Sequence, residues 1–252
     1  MSRIAPADLE VLTPDWRVAP KVRAAFTLRG GGVSAPPFDS LNVGAHVGDA
    51  ATAVTENRRR VRLRLELPAE PAWLEQVHGT RVADLDGSGA EAHGPADAVL
   101  TRSRRRVCVV QVADCMPVLF AASDASAVAV AHAGWRGLAA GVLEATVAKL
   151  GVLPGNLCTW LGPAISAQHF EVGEEVRQAF VAGDAGAAAA FTRNSRDRWQ
   201  CDLTLLARRR LAALGVGRVA GGTWCTYRDP KRFYSFRRDG RCGRMAALIW
   251  LA

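Results

Sequence analysis

The chain has 252 residues, of which 49% are hydrophobic, and it carries a formal net charge of +8. This length can bury the core of one large domain or two small ones, and the basic balance favours anionic partners such as nucleotides, phosphate, nucleic acid or a membrane surface. The arginines fall in separate short runs without interleaved aromatic residues, which argues against a nucleic-acid groove, and no apolar run is long enough to cross a bilayer. Six cysteines without a C-x-x-C pair, and an N-terminus without an apolar core, predict reduced thiols in a cytoplasmic protein.

The first elements are a strand, a long loop and a helix. A short strand begins at Phe26 and passes into a loop rich in Gly, Pro and Ser that extends to Asn42. Gly30–Gly32 let the backbone of this loop approach another group closely, although the spacing of a phosphate-binding fingerprint is absent. Apolar residues at helical spacing predict an amphipathic helix over 52–65, and residues 72–78 form a plausible strand.

A long apolar and β-branched run covers residues 106–122. Asp114, Cys115 and Pro117 interrupt it. Because proline is disfavoured in a central strand, we interpret the run as a strand, a functional break and a second strand. Cys115 could be a buried filler, a nucleophile or a metal ligand.

The C-terminal half alternates strands and helices. One strand ends near His132, and apolar residues then recur at helical spacing from Leu138 to Leu150, where Gly151 can end the helix. The later predicted elements are a strand over 159–161, helices over 172–181 and 203–214, and a closing strand over 243–252. Strict βαβ regularity is missing, so the order predicts one α+β (mixed α/β) layered domain.

Two histidines and one cysteine lie at the ends of predicted strands. These are His78, His132 and Cys115, and each histidine has a glycine within two residues. Histidine and cysteine are good zinc ligands, and three protein ligands leave a fourth position open. The spacings match no compact zinc motif, so structural imidazoles and an inert buried thiol remain alternatives. Asp114 beside the thiol could orient a ligand or serve a turn.

The motifs "QVHGTRV", "ADCMPVLFA" and "HAGWRGLAAGV" follow one another in this order. With them the chain resembles the YfiH-type laccase-domain family, whose members are also called polyphenol oxidase, peptidoglycan editing factor and purine nucleoside phosphorylase. The resemblance extends from about Phe26 to Ala252. It implies a zinc site on His78, Cys115 and His132. It also implies a single domain over 1–252, with layered mixed β-sheets flanked by helices and an N-terminal extension over 1–20.

The family names imply different activities. One is phosphorolysis of adenosine, inosine and methylthioadenosine, with deamination of adenosine in the same site. Another is copper-dependent phenol oxidation, which five histidines and three methionines are too few to support, although copper stays possible as the bound metal. A cysteine-dependent amidase or hydrolase acting on cell-wall precursors would use Cys115 as thiolate and His132 as base. A metal-holding binding protein without turnover is a further alternative.

Further residues are candidates for proton transfer and for phosphate. Asp114 is the first candidate for the general acid or base, and Asp97 is the second. Arg29, with the backbone of Gly30–Gly32, could hold phosphate, and Arg136 and Arg238 are weaker candidates. Each arginine could instead belong to a structural ion pair.

Gln76 and Asn42 are candidates for hydrogen bonds to the purine, and Trp135 for stacking on it. If Gln76 lies in a strand, it shares a sheet face with His78. All three side chains could serve the fold instead. The expected partners are therefore a purine nucleoside and phosphate, with no nucleic acid and no membrane. Whether the chain is a monomer or a homodimer stays open.

Overall fold

A computed structural model describes residues 9–88 and 94–252 of the chain. The strands are β1 (Val11–Leu12), β2 (Val22–Thr27), β3 (Val82–Asp84), β4 (Ala98–Thr101), β5 (Val107–Val112), β6 (Met116–Ala122), β7 (Val128–Ala133), β8 (Leu157–Leu161), β9 (Glu171–Val172), β10 (Phe191–Arg193), β11 (Trp199–Cys201), β12 (Arg218–Gly221) and β13 (Met245–Leu251). The helices are α1 (Ala51–Arg64), α2 (Trp135–Ala140), α3 (Val142–Leu150), α4 (Glu174–Val181), α5 (Leu203–Ala213) and α6 (Phe236–Asp239), with 3₁₀ turns at Ala45–Val47, Pro154–Asn156 and Ala185–Ala190.

The central layer is a six-stranded sheet in the order β12-β8-β6-β7-β4-β3. The hairpin of β6 and β7 forms its middle, with Met116 opposite Ala133 and Pro117 opposite His132. Every residue of β6 and β7 is buried, as expected for strands covered on both faces. The register of this hairpin brings the residues before β6 next to the residues after β7.

A four-stranded sheet in the order β1-β2-β13-β5 packs on one face of the central sheet. Its middle strand, β13, is antiparallel to both β2 and β5, so the C-terminal strand lies between two distant parts of the chain. A separate small sheet has the order β10-β11-β9.

Successive side chains of a strand point to opposite faces of its sheet, and this divides the buried side chains into three cores. One core lies between the two large sheets. A second joins the opposite face of the central sheet to α2, α3, α4 and α5, and a third joins the outer face of the four-stranded sheet to α1. The layers are therefore helix, sheet, sheet and helix. This architecture confirms the predicted mixed α+β domain with layered sheets flanked by helices.

Most predicted elements are present. The break in residues 106–122 separates β5 from β6, and the predicted strand ending near His132 is β7. Asp202 caps α5 by accepting a hydrogen bond from the backbone N–H of Leu205, as its position before the helix predicts. Gly151 ends α3 with a φ of 67°, in the left-handed region that glycine favours.

Three local predictions were wrong. Residues 73–78 form no strand, and only Ala72 bridges to Cys108, because the segment pairs with β5 mainly through the side chain of Gln76. The helix predicted from 138 to 150 is two helices, because Gly141 adopts a φ of 101° between them. Pro117 is the second residue of β6 and not part of the break, close enough to the strand start for its missing N–H to be tolerated.

Part of one sequence prediction and one histidine lie outside the described ranges. The N-terminal extension over 1–20 is described only from residue 9, and His93 is not described. Within 9–88 and 94–252, no helix has both the length and the apolar character needed to cross a membrane.

Candidate metal centre and ligand cavity

Three side chains from distant parts of the chain converge at one end of the central sheet. His78 lies in the loop before β3, Cys115 directly precedes β6, and His132 lies near the end of β7. One ligand atom from each residue lies within 4.8 Å of the others. The Cys115 Sγ atom is 3.8 Å from His78 Nε2. The chain thus brings together the three residues predicted as metal ligands.

Asp97 holds two of these three residues in place. Its Oδ1 atom lies 2.8 Å from His132 Nδ1 and accepts a hydrogen bond from the His78 backbone N–H. Its Oδ2 atom accepts from the backbone N–H groups of Val77 and Gly79. Burial raises the pKa of Asp97, but the hydrogen bonds from His132 and from the backbone outweigh this effect and lower it. A carboxylate in this position fixes the imidazole so that its other nitrogen faces the donor cluster, as carboxylates hydrogen-bonded to histidine ligands do at zinc sites.

Cys115 and His132 perturb each other's protonation. Burial alone would raise the pKa of Cys115. The charge of His132 and the hydrogen bonds from His132 and His78 have the larger, opposite effect, so the pKa is lowered on balance. Burial lowers the pKa of His132, whereas the Cys115 thiolate and Asp97 raise it by more. Without metal, the pair therefore favours a thiolate beside an imidazolium. A thiolate is the form of cysteine that binds metal and also the form that attacks electrophiles.

Gly134 lets the side chains of the cluster approach one another. A Cβ atom at this position would lie 2.8 Å from Cys115 Sγ and 3.0 Å from His78 Cδ2. Only glycine leaves room for both ligand side chains against the β7–α2 connection. This contact gives a physical reason for the "HAG" part of the motif that follows β7.

The donor cluster opens into a cavity of about 420 Å³. Apolar and aromatic side chains share its wall with a group of cations. The lining residues are His46, Gln76, His78, Gln111, Val112, Ala113, Asp114, Cys115, His132, Trp135, Arg136, Ile165, Phe170, Leu203, Phe236, Arg237 and Arg244. Another cavity, of about 490 Å³, is lined by Thr223, Trp224, Cys225, Arg228 and Asp229, and it contains no predicted site residue.

Asp114 lines the cavity beside the His–Cys–His cluster, but neighbouring groups form hydrogen bonds with its carboxylate. Oδ1 accepts a hydrogen bond from the Thr226 hydroxyl, and Oδ2 accepts from the Ser235 hydroxyl and the Arg237 backbone N–H. These bonds connect the break before β6 to the segment that leads into β13. The proton-transfer role of Asp114 stays a prediction, while its position shows a bracing role.

Two of the arginines predicted to bind phosphate do not line the cavity. The guanidinium of Arg29 contacts Asp39 and the carbonyl of Pro230. The guanidinium of Arg238 pairs with Asp239 and donates to three backbone carbonyls. Arg136 does line the cavity, where it lies exposed over the ring of Trp135.

The two amides predicted to contact the purine have different positions. Gln76 lines the cavity, and its side chain exchanges two hydrogen bonds with the backbone of Gln111, at 2.9 and 2.7 Å. Asn42 is fully buried and does not line the cavity. Its amide bonds to Gly44, Asp49 and the Arg244 backbone N–H.

Sequence reasoning missed ten residues of the wall, and five of them carry aromatic or cationic side chains: His46, Phe170, Phe236, Arg237 and Arg244. These five lie outside the three motifs that carry the family resemblance, and no periodicity or spacing marks them as facing the cluster. The remaining signal was the scarcity of histidine, since His46 is one of only five. Burial, together with Arg244, Arg58 and His132, lowers the pKa of His46, so this histidine lies among positive groups.

The layered sheet domain thus brings a His–Cys–His cluster that could hold a metal ion to the wall of a cavity. The chain belongs to the multi-copper polyphenol oxidoreductase laccase family, whose model matches residues 23–252.

Relatives match over nearly the whole chain. A purine nucleoside phosphorylase of Pseudomonas aeruginosa is 53% identical over 95% of this chain and 98% of its own length. The purine nucleoside phosphorylase YfiH of Escherichia coli is 50% identical over 96% of this chain and 99% of its own length. A crystal structure of a Neisseria meningitidis protein superposes with a TM-score of 0.89 at 46% identity, covering 96% of this chain and 98% of that chain. These matches confirm the family predicted from the motifs.

Proposed function

We propose that this chain is a zinc-dependent purine nucleoside phosphorylase that also deaminates adenosine. The observation that carries the proposal is the convergence of His78, Cys115 and His132 within 4.8 Å at the wall of a cavity. The names of the relatives at 53% and 50% identity supply the substrate class. Small molecules are the partners we expect, and we retain the prediction of a cytoplasmic protein.

The donor set fits zinc. Two imidazoles and one thiolate are ligands of catalytic zinc sites, and three protein ligands leave a position for water or substrate. When bound, zinc would supply Lewis-acid polarisation and activation of water near neutral pH. Copper is the alternative metal, since the same donors also bind it.

The chain's own residues orient and enclose the substrate. Trp135, Phe170 and Phe236 line the cavity and offer rings on which a purine can stack. Asp97 keeps His132 and the His78 loop in position through the hydrogen bonds described above. Asp114 holds the loop that carries Cys115 against the segment after Ser235.

Phosphorolysis replaces the bond between the base and the sugar with a bond between phosphate and the sugar. A phosphate oxygen forms a bond to C1′ of the ribose while the C1′–N9 bond breaks, and the purine leaves with that electron pair and takes up a proton. The products are the free base and ribose 1-phosphate. The reaction therefore needs a nucleoside site and an anion site in one cavity, and the lining of this cavity contains both aromatic and cationic side chains.

The test uses purified protein with inosine or adenosine, with and without inorganic phosphate. We expect hypoxanthine and ribose 1-phosphate in equal amounts from inosine only when phosphate is present, and inosine from adenosine without it. Cys115→Ser is expected to lose bound zinc and both activities. Cys158→Ser, which alters a buried thiol in β8, is the matched control and should keep both. Wild-type protein that releases no base would contradict the proposal.

The thiolate–imidazolium pair also favours a second candidate, a cysteine-dependent hydrolase. A cysteine bound to zinc is not free to act as a nucleophile. Metal analysis of protein purified without added metal therefore separates the two. About one zinc per chain supports the nucleoside enzyme, whereas metal-free protein with a turnover-dependent acyl group on Cys115 supports the hydrolase.

A further inference from the structure

The cavity wall contains arginines that have no carboxylate partner in the described part of the chain. Among residues 9–88 and 94–252, no carboxylate lies within ion-pair distance of Arg136, Arg237 or Arg244. Asp114 is the carboxylate in the lining, and its oxygens are engaged by Thr226, Ser235 and the Arg237 backbone. A region of uncompensated positive charge beside apolar walls attracts anions.

Arg244 is the arginine of this set whose guanidinium donates to two backbone carbonyls. Its Nη1 atom donates to the carbonyls of Cys242 and Gly243, at 3.0 and 3.1 Å. Its Nε and Nη2 atoms make no hydrogen bond within the described part of the chain, so they remain available to a ligand. The stem packs against Gly44, where a Cβ atom would come within 2.7 Å of Arg244 Cγ.

The loop of Gly44 also carries His46. The buried amide of Asn42 accepts hydrogen bonds from the backbone N–H groups of Gly44 and Arg244, at 2.8 and 2.9 Å. Its Nδ2 atom donates to Asp49, beyond the 3₁₀ turn that contains His46. One amide therefore joins the two backbone segments, 202 residues apart, that present His46 and Arg244 to the cavity.

We propose that His46 and Arg244 form the phosphate subsite of the cavity and that Asn42 is the residue that positions both. Guanidinium and imidazole N–H groups are the donors that recognise phosphate oxygens. The inference rests on the proposed phosphorolysis, because it assigns the site of the inorganic phosphate that this reaction consumes.

The other arginines fit this role less well. Arg29 and Arg238 point to carboxylates and carbonyls elsewhere. Arg136 is exposed and lies over Trp135, and Arg237 is exposed and donates to the Glu171 carbonyl. Their guanidinium groups are less firmly placed for a small anion than that of Arg244.

The test measures initial rates of inosine phosphorolysis by the zinc-loaded enzyme while phosphate and inosine are varied independently. Arg244→Gln is expected to raise the KM for phosphate on the order of tenfold to a hundredfold, the range for losing hydrogen bonds to a charged group. The KM for inosine should change little. His46→Gln should raise the phosphate KM by a smaller factor, and Arg244→Lys should recover part of the loss because it restores the charge without the planar fork.

Asn42→Ala tests the positioning role. It should raise the phosphate KM with unchanged zinc content, and thermal unfolding shows whether the variant is folded. Arg59→Gln is the matched control, since Arg59 is an exposed arginine paired with Glu56 on α1. Its kinetics should equal those of the wild type. Equal phosphate KM values for the wild type and folded Arg244→Gln would overturn the inference and leave the proposed function standing.

Calorimetric titration of inorganic phosphate into the zinc-loaded protein keeps the two proposals separate. If the wild type binds phosphate, Arg244→Gln does not, and neither cleaves a nucleoside, the subsite stands and the proposed function fails. If wild type and Arg244→Gln bind phosphate equally, or if neither binds it, the subsite is overturned whatever the nucleoside assay shows.

Discussion

Asp97 and Asp114 are both buried carboxylates near the donor cluster, yet their oxygens contact different parts of the molecule. Asp97 contacts His132 and the backbone of the His78 loop. Asp114 contacts two hydroxyls and a backbone N–H on the C-terminal side of the chain. Single substitutions at these positions should therefore affect different properties.

Asp97→Asn should weaken zinc binding about 10- to 100-fold, the usual cost of losing a carboxylate that orients a histidine ligand. The amide has one acceptor oxygen, so it cannot serve His132 and the backbone N–H groups together. Competition with a chromophoric chelator measures the affinity. Zinc affinity equal to that of the wild type would show that Asp97 does not orient His132.

Asp114→Asn should affect stability and not zinc binding, in contrast to Asp97→Asn. Asn tolerates the positive φ of 89° at this position, but it replaces one acceptor oxygen with a donor. We expect the free energy of unfolding to fall by about 1–3 kcal/mol, measured by urea denaturation, with zinc affinity retained. Full stability combined with loss of deamination would instead assign Asp114 the proton-transfer role predicted from the sequence.

Cys115 should be reactive once the metal is removed. Its pKa is lowered to about 6 because His132 and His78 outweigh the effect of burial. A lowered pKa makes thiolate the main form above about pH 6, so alkylation of the chelator-treated protein should be fast at pH 7 and slow as the pH falls through 6. Mass spectrometry identifies the site. Cys201, whose pKa burial raises to about 12, is the internal control and should stay unmodified. Zinc should protect Cys115, and alkylation unchanged by zinc would contradict its role as a ligand.

At the scale of elements, the connection between β7 and α2 determines how closely the Cys115 and His78 side chains can approach each other. The hairpin register brings Cys115 to one side of Gly134, and the His78 loop packs on the same residue. The predicted strand over 72–78 is absent for a related reason. A regular strand would place Gln76 in the ladder, whereas the loop conformation frees His78 to adopt a φ of 60° and reach the cluster.

Gly134→Ala should therefore lower zinc affinity strongly while leaving the fold intact. The added Cβ would lie 2.8 Å from Cys115 Sγ, closer than real contacts allow, so a ligand must move. Zinc content and circular dichroism measure the two properties. Gly155→Ala is the matched control because its Cβ would meet nothing within 4 Å, and it should bind zinc normally. Normal zinc binding by Gly134→Ala would show that the ligands have more room than the structure indicates.

At the scale of the whole molecule, β13 closes the structure. It pairs with β2 near one end of the chain and with β5 in the middle, and the segment before it supplies Arg244 and the partners of Asp114. The cavity wall is therefore complete only when the C-terminal strand is in the sheet.

Leu248→Ala should lower the free energy of unfolding by about 2–5 kcal/mol, because it leaves a cavity in the core beneath α1. Leu248 is fully buried in β13. Urea denaturation followed by tryptophan fluorescence measures the change. Leu153→Ala, at a position 74% exposed, is the control and should have little effect. Equal stability of the two variants would place Leu248 outside the core.

The sequence by itself determined the features that local signals encode. Asp202 before α5, Gly151 after α3 and the interrupted apolar run at Cys115 each act through neighbouring backbone groups, so their positions predict caps and breaks directly. The three candidate metal ligands were predicted from residues inside long motifs, and the structure brings them together although His78 lies in a loop and not at a strand end. The same motifs indicated the family.

Only the tertiary structure decided which side chains surround the ligands. Asn42 and Arg244 are 202 residues apart, and Asp97 and His132 are 35 apart, so no local pattern indicates their contact. Arg29 and Arg244 have the same side-chain chemistry. Only the folded structure shows that Arg29 pairs with a carboxylate, that of Asp39, whereas Arg244 lines the cavity without such a partner among the described residues. The role of a polar side chain depends on the partners that long-range packing provides, and these partners come from the closure of the sheets around β13.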